Sequence, residues 1–395
     1  MKLNQKEYQY FACVENQLVQ HFLDILDTED ALSLGIRRDS SVKIIKSSDT
    51  NKKLLPLNFR DIISIENLIA LLRKLTNIEI DIIKLPWDEK WAQATQISNL
   101  HERLKQLLNP KILEFIPKTF DLIGSVAILE IDRWGELSEI IQNTSELTQI
   151  LSIVGEAIIN LHKNISTVLN KMGNIKGEFR LREYQVIAGE PCTYTIHKEN
   201  NCVFHVDPIR MFFSPRLSFE RNRVANLFYN KHAIILDIFA GIGPFSIQIA
   251  RNHEVQVYSI EKNPDAYKFL EKNITSNKNL LKGTIHPYLG DFREFLKSTL
   301  GKNCINKTDY IIMNLPELSH EFLPYILPFV RRRKTTLIYY TFIHSRNPLE
   351  DALVQFEEAM RENRMDIVNI LQKRVVFSYS PTQNNVGIDA DIRKV

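Results

Sequence analysis

The sequence is poor in several features that would each fix a class of protein. It carries four cysteines in 395 residues, Cys13, Cys192, Cys202 and Cys304. None forms a CxxC pair, so the spacing indicates neither a metal site of the zinc type nor a disulfide framework. No apolar run approaches the length that spans a bilayer. The N-terminus, MKLNQKEYQYFACVENQ, is charged and amide-rich throughout and lacks an apolar signal core. A reducing, cytoplasmic setting with no membrane association is the expectation that remains. There is no internal repeat and no low-complexity tract. The net charge is only +3. That neither demands nor excludes a nucleic-acid partner, because a local basic surface suffices for phosphate contacts. Arg331-Arg332-Arg333-Lys334 and Lys52-Lys53 fit such a surface and fit solvated loop charge equally well.

What is present is ordinary for a folded protein: 44% apolar and 25% charged residues. The length suggests two to three domains. Apolar spacing predicts helices over residues 8–26 and 62–75, and IEIDIIKL, closed by Pro86, predicts a strand. Together these form a small α+β unit with a boundary near residues 90–105. FDLIGSVAILEID reads as two short strands around Gly124, and residues 145–172 as one long amphipathic helix. TYTIHKENNCVFHVD alternates on both sides of Glu199-Asn200-Asn201, a hairpin signal. From Ile234 the pattern changes. IILDI, VQVYSIE, TIHPYLGD, DYIIMN and TTLIYYTF alternate with helical stretches, which implies βαβ units and a mainly parallel sheet. KRVVFSYS and the tail after it read as antiparallel edge strands.

The motif that carries most chemistry is LDIFAGIGPFS, residues 236–246. Asp237 ends a buried strand, Gly241 and Gly243 permit a tight turn and close ligand approach, and Pro244 suits the first turn of a helix. Open α/β sheets bind ligands at such strand ends. Glu261 ends the next strand, where an acid can accept from both hydroxyls of a ribose, and Asn263-Pro264 caps the helix after it. Gly290-Asp291 ends a third strand, and its carboxylate suits an adenine amino group. Taken singly, each has a bland reading as a tight turn or a strand-end charge. Three successive strand ends bearing polar partners favour a nucleoside cofactor. The full GxGxxG fingerprint is missing, since Ser246 stands where the third glycine would be, and there is no Walker A lysine. S-adenosylmethionine, which has no pyrophosphate to place on a helix N-terminus, is therefore preferred over NAD. The fourth strand ends in Asn314-Leu315-Pro316-Glu317, the position that faces the methyl donor in Rossmann-type methyltransferases. Asn314 donates and accepts, so it can orient a heterocyclic base; alone, it is equally a turn residue before proline.

These segments, with REYQVIAGE, FFSPRLSFERNRVA, IEKNPDAYKFLEKNI, GDFREFL and MNLPELSHEFL, resemble the archaeal and eukaryotic tRNA (guanine-N1)-methyltransferase family of the Trm Five and TYW Two type. The matching segments run in consistent order over residues 120–329. The resemblance implies an α/β fold: a C-terminal Rossmann-fold class I S-adenosylmethionine-dependent methyltransferase domain over residues 208–395. It also implies α+β N-terminal (1–95) and middle (96–207) RNA-binding domains. It implies methyl transfer to N1 of guanosine 37 of tRNA, with the anticodon stem-loop and outer corner as contacts and a monomer as the working form. Glu220 aligns with the family's proposed general base and Asn314 with the asparagine that holds the guanine. An arginine of Arg180-Leu181-Arg182 aligns with one that stabilises charge on the base; spacing leaves both open, with Arg180 preferred. The cofactor set would be Arg221, Asp237, Phe239, Gly241, Gly243, Glu261, Lys262, Gly290, Asp291, Asn314 and Pro316. Two departures stand out: Glu261 where many relatives have Asp, and Glu317 after the NLP segment.

The chemistry suits these residue types. Guanine N1 is a poor nucleophile until its proton leaves. A carboxylate can take that proton, and an arginine can stabilise the charge that moves to O6. Three other readings stay open. One is a wyosine-pathway enzyme acting on a tricyclic guanosine, or a bifunctional enzyme. Aminocarboxypropyl-transferring relatives typically carry tyrosine after the glycine turn, where this chain has Pro244. Another is an amino-group methyltransferase, against which Leu315 argues. The last is a tRNA-binding protein without catalysis.

Overall fold

The computed structural model describes residues 8–15, 18–26, 36–38, 44–46, 51–59, 69, 73, 80–86, 100–131, 136–137, 141, 143–179, 181–227, 230–378 and 383–395. The chain divides into two compact units, Met1–Asn99 and Leu100–Val395. Among the described residues no helix is long and apolar enough to cross a membrane.

The first unit is an antiparallel sheet of β1 (Tyr8–Glu15), β2 (Ile36–Arg38), β3 (Ile45–Lys46), β4 (Lys52–Phe59) and β5 (Asp81–Pro86), with β1 between β4 and β5. Residues 8–26 are thus a strand followed by the short helix Val19–Leu26, where the spacing predicts one helix. The reason is that β1 is buried on both faces. Ala12 and Val14 pack with Phe22 and Leu26, while Phe11 and Cys13 pack with Leu54. A strand buried on both sides reads as an unbroken apolar run, which periodicity cannot distinguish from a helix. The helix expected over residues 62–75 lies outside the described residues except for Ile69 and Arg73, which are helical.

In the second unit, β6 (Asp121–Ile123), β7 (Val126–Leu129), β8 (Thr167–Lys176) and β9 (Leu181–Gly189) form a four-stranded sheet in that order. It is covered by the helix Thr144–Leu161, whose N-cap Asn143 accepts from Ser145 N. Gly155 lets this helix approach β9 closely: a Cβ there would sit 2.5 Å from that of Ala188. The helix stops at Leu161 rather than running on to residue 172, because the chain turns and β8 pairs parallel with β7. β10 (Thr195–Glu199) and β11 (Cys202–Val206) make a hairpin whose two loop residues, Asn200 and Asn201, have φ of 47° and 59°. Asparagine tolerates this left-handed backbone, the requirement of a two-residue type I′ turn.

The remaining strands form one seven-stranded sheet: β12 (Ile234–Asp237), β13 (Gln256–Glu261), β14 (Thr284–Leu289), β15 (Tyr310–Met313), β16 (Thr335–His344), β17 (Met365–Ser378) and β18 (Gln383–Lys394). Their order is β14-β13-β12-β15-β16-β18-β17; the first five are mutually parallel, β18 runs antiparallel to them, and β17 pairs antiparallel with β18. The order reverses between β12 and β15, the switch point where open α/β sheets open a crevice. The C-terminal strands are not both at the edge, as the sequence reading expects. β18 inserts between β16 and β17 and is buried along most of its length, and β17 forms the edge on that side of the sheet.

Candidate active site

A cleft of about 390 Å³ opens at the carboxyl ends of the parallel strands. Its size falls in the range of small-molecule sites. Phe239, Gly241, Glu261, Lys262, Gly290, Asp291, Asn314 and Pro316 all line it. They come from the ends of four strands, so the sheet alone gathers residues spread over nearly eighty positions.

The glycine turn sets the floor. Gly241 has φ of +55° and Gly243 of +84°, a region that a side chain rarely adopts. Gly243 begins the helix Pro244–Asn252 from beneath, and a Cβ on it would meet Leu270 at 2.5 Å. It shapes the turn without lining the cleft. Glu261 lies across from Gly241 and accepts 2.7 Å bonds from Gly241 N and Asn263 N. Burial pushes its carboxyl above the usual range, and these backbone donors pull the other way. A carboxylate offers about four acceptor positions, so the backbone leaves acceptor capacity on both oxygens.

Asp291 is more committed than its strand-end position suggests. It caps the short helix Phe292–Phe295 through Arg293 N, takes the Arg293 guanidinium at 2.5 Å, and pairs with Lys262 at 3.1 Å. Arg293 and Lys262 hold its carboxyl well below the ordinary range. Lys262 also reaches Glu178, from the turn before β9, at 3.0 Å. This ion pair closes one wall of the cleft with the middle segment. Phe239 packs edge-on against Phe322, with ring centroids 4.9 Å apart. Pro316 O accepts from Phe342 N of β16.

Four expected residues stand outside the cleft lining. Asp237 is buried beneath the turn. Its Oδ2 accepts from Ser246 at 2.7 Å, its Oδ1 has no partner among the described residues, and burial pushes its carboxyl up to about 7. Gly243 has been placed above. Arg221 is 1% exposed and is held by Glu199 of the hairpin, with 2.6 and 2.5 Å bonds, and by Ser214 O. Glu220, one residue earlier on the helix Ser218–Ala225, is buried in a separate cluster. It accepts from Tyr340 at 2.6 Å, from Arg223 at 2.8 and 3.0 Å, and from Arg374. Asp389 binds the same two arginines at 2.7 and 3.1 Å. Although burial alone would raise it, the two arginines bring the Glu220 carboxyl down to about 2.

Of the two candidate arginines, Arg180 lies outside the described residues. Arg182 on β9 is paired with Glu130, which also takes Lys171 at 2.8 Å. The sequence reading did not single out Phe212, Phe342, Phe377 or Asn385, which also line the cleft. Phe212 stands in the FFSPRL segment, a visible signal. Phe377 and Asn385 come from β17 and β18, whose placement the sequence does not disclose.

The region from Thr195 to Val368 matches the model of the TRM5/TYW2 methyltransferase domain, and residues 100–193 match the TYW2 N-terminal domain. The tRNA (guanine(37)-N(1))-methyltransferase Trm5b of Pyrococcus abyssi is 36% identical over 301 residues, covering 75% of this chain and 82% of that protein. The chain belongs to the TRM5/TYW2 methyltransferase family. The Trm5b of Methanocaldococcus jannaschii is 32% identical over 82% of this chain and 85% of its own length. The crystal structure of the Pyrococcus abyssi Trm5b has a TM-score of 0.63 at 29% identity, covering 97% of this chain and 99% of that one. A Trm5 solved as its complex with tRNALeu has a TM-score of 0.60 at 27% identity, covering 96% and 99%. Family membership and the doubly wound sheet agree: this is a Rossmann-like class I methyltransferase.

Proposed function

We propose that the protein transfers the methyl group of S-adenosylmethionine to N1 of guanosine 37 in tRNA. The observation that carries this reading is the cleft at the sheet's switch point. There a ribose-type acid, Glu261, and the Asn314-Leu315-Pro316 segment face one opening in a chain of this family. The residues fit the cofactor. Gly241 leaves open space where a side chain would intrude, Glu261 keeps acceptor capacity for ribose hydroxyls, and Ile238, Ile260 and Phe292 give apolar walls for the adenine. Bound there, S-adenosylmethionine supplies an electrophilic sulfonium methyl.

The chain's own residues do the rest. Asn314 orients the base, which must be splayed out of its stack to enter. Glu220 is the proposed proton acceptor, and Arg180 the proposed donor to O6. For Glu220 to reach N1, an arginine contact must open as the base enters, since Arg223, Arg374 and Tyr340 occupy its oxygens. In this reading residues 1–95 and 96–207 are tRNA-binding domains that reach the outer corner and the anticodon stem-loop, and the enzyme works as a cytoplasmic monomer.

The experiment is transfer from labelled cofactor to an unmodified transcript with G37, beside a G37→A transcript, with nucleoside analysis. N1-methylguanosine on the first alone is the expected result. One observation favours a second reading, a wyosine-pathway enzyme: residues 100–193 match the TYW2 N-terminal domain. Product on a wyosine precursor but none on the G37 transcript would establish that reading and overturn the first.

A further inference from the structure

Asn385 stands in a position that neither the cofactor nor the fold explains. It is 2% exposed and lines the cleft, and its Oδ1 has no hydrogen-bond partner among the described residues. A buried acceptor left unpaired is costly and rare in a finished fold. In the sheet it lies opposite Phe342 of β16 on one side and Phe377 of β17 on the other, and both phenylalanines also line the cleft. Phe342 N in turn donates to Pro316 O at 3.3 Å. The register thus ties Asn385 to the Asn314-Leu315-Pro316 segment.

The side of the cleft follows from strand order. Glu261 ends β13, to one side of the switch point. Asn314 follows β15, and β18 lies two strands further in the opposite direction. Asn385 therefore flanks the methyl acceptor and not the ribose of the cofactor. Resting on the function proposed above, we infer that Asn385 Oδ1 accepts a hydrogen bond from the 2-amino group of the target guanine. Guanine has two donors on its Watson–Crick edge, N1–H and the 2-amino group. N1–H is lost in the reaction, whereas the 2-amino group stays a donor from substrate to product. An acceptor walled by two phenylalanines suits the permanent donor. Adenine and hypoxanthine both lack a 2-amino group, so Asn385 makes the site selective for guanine by leaving its own oxygen unpaired when either enters.

The test uses the full chain and tRNA transcripts carrying guanosine or inosine at position 37. Inosine keeps N1–H and O6 and lacks only the 2-amino group. The wild type should favour guanosine in kcat/KM by about tenfold, the worth of one neutral hydrogen bond. Asn385→Leu should lose about that factor on guanosine and nothing on inosine, so that the preference disappears. S-adenosylmethionine affinity, measured by calorimetry, should not move. Asn385→Asp keeps an acceptor oxygen and should keep the preference, and it decides the matter if the leucine variant does not fold. An unchanged preference in Asn385→Leu, an equal loss on both transcripts, or a lost preference in Asn385→Asp would overturn the inference. A wild type that makes no N1-methylguanosine would instead sink the functional reading on which it rests.

Discussion

Replacing Glu220 by glutamine tests the site where the sequence reading and the structure pull hardest against each other. The side chain is 3% exposed, and two arginines and a tyrosine donate to it. Folding takes its carboxyl from 4.5 to about 2, which corresponds to roughly 3 kcal/mol of stability. That agrees with the roughly 3–5 kcal/mol cost of breaking a buried ion pair. Glutamine keeps the shape but leaves Arg223 and Arg374 with Asp389 as their carboxylate among the described residues, one uncompensated positive charge. Tm should fall by about 5 °C for a unit of this size. Asp389→Asn removes the other carboxylate of the same cluster and should cost a similar amount. The two variants part in chemistry. At 25 °C, with both variants shown folded by circular dichroism, Glu220→Gln should lose about 10²–10⁴ in single-turnover rate, while Asp389→Asn should stay within about tenfold of wild type. Because folding lowers this pKa, its stabilisation is complete above about pH 4.5 and is lost as pH falls toward 2. Glu220 is then ionised throughout the working range, so the rate should show no acid limb from it above about pH 5. Equal rate losses in the two variants would make Glu220 a structural member of the cluster and not a base. A Tm change under about 2 °C would refute the energetics.

Glu261→Gln should weaken S-adenosylmethionine binding about tenfold or more by calorimetry, because a charged acceptor becomes a neutral one; unchanged affinity would remove Glu261 from the cofactor site. Arg180→Ala should lower kcat by about 10²–10³ if that side chain stabilises charge on the base. Arg182→Ala, which breaks a partly exposed pair with Glu130, should cost less than about tenfold, and the reverse order would exchange their roles. For Asp237, burial raises the pKa from 3.8 to about 7. An acid raised by folding loses stability as pH climbs between those values, whereas asparagine does not titrate. Asp237→Asn should therefore gain in Tm relative to wild type from about pH 4 to about pH 7, and a pH-independent difference would show that the burial is relieved.

The cleft lining at the strand ends was legible because it follows a local rule. Each parallel strand ends where its hydrophobic run ends, and a glycine or a polar residue at or just beyond that end, Gly241, Glu261, Asp291 or Asn314, stands at the cleft. The hairpin was legible for the same reason, since Asn200-Asn201 both tolerate the backbone the turn requires. The lining from the C-terminal strands was not legible. Phe377 and Asn385 reach the cleft only because β18 runs antiparallel between β16 and β17, and strand order is not written in local periodicity. Residues 8–26 and 145–172 misled for a related reason. β1 is apolar on both faces and β8 continues the apolar spacing of the helix before it, so a 3.6-residue period persists where the chain is extended. For Arg221, an arginine beside a catalytic candidate suggests a ligand contact, whereas in the fold Glu199 holds its guanidinium.

That contact explains how Glu220 is placed. Neighbours on a helix point about 100° apart, so fixing Arg221 toward the hairpin turns Glu220 toward Tyr340 and Arg374. The hairpin is itself pinned. Asn273 and Asn277, one turn apart on the helix Pro264–Asn277, bond the free backbone edge of β11. Asn273 accepts from His205 N at 2.7 Å, and Asn277 accepts from Val203 N at 2.9 Å. Asn277 also donates to Val203 O at 2.7 Å. These amides act as a substitute strand that covers an exposed edge. Asn273 donates as well to Ile242 O, inside the glycine turn. One set of buried polar contacts therefore runs from the glycine turn through the hairpin to the helix that carries Glu220. The glycine turn and the Glu220 cluster are thus tied together by side chains that do not line the cleft.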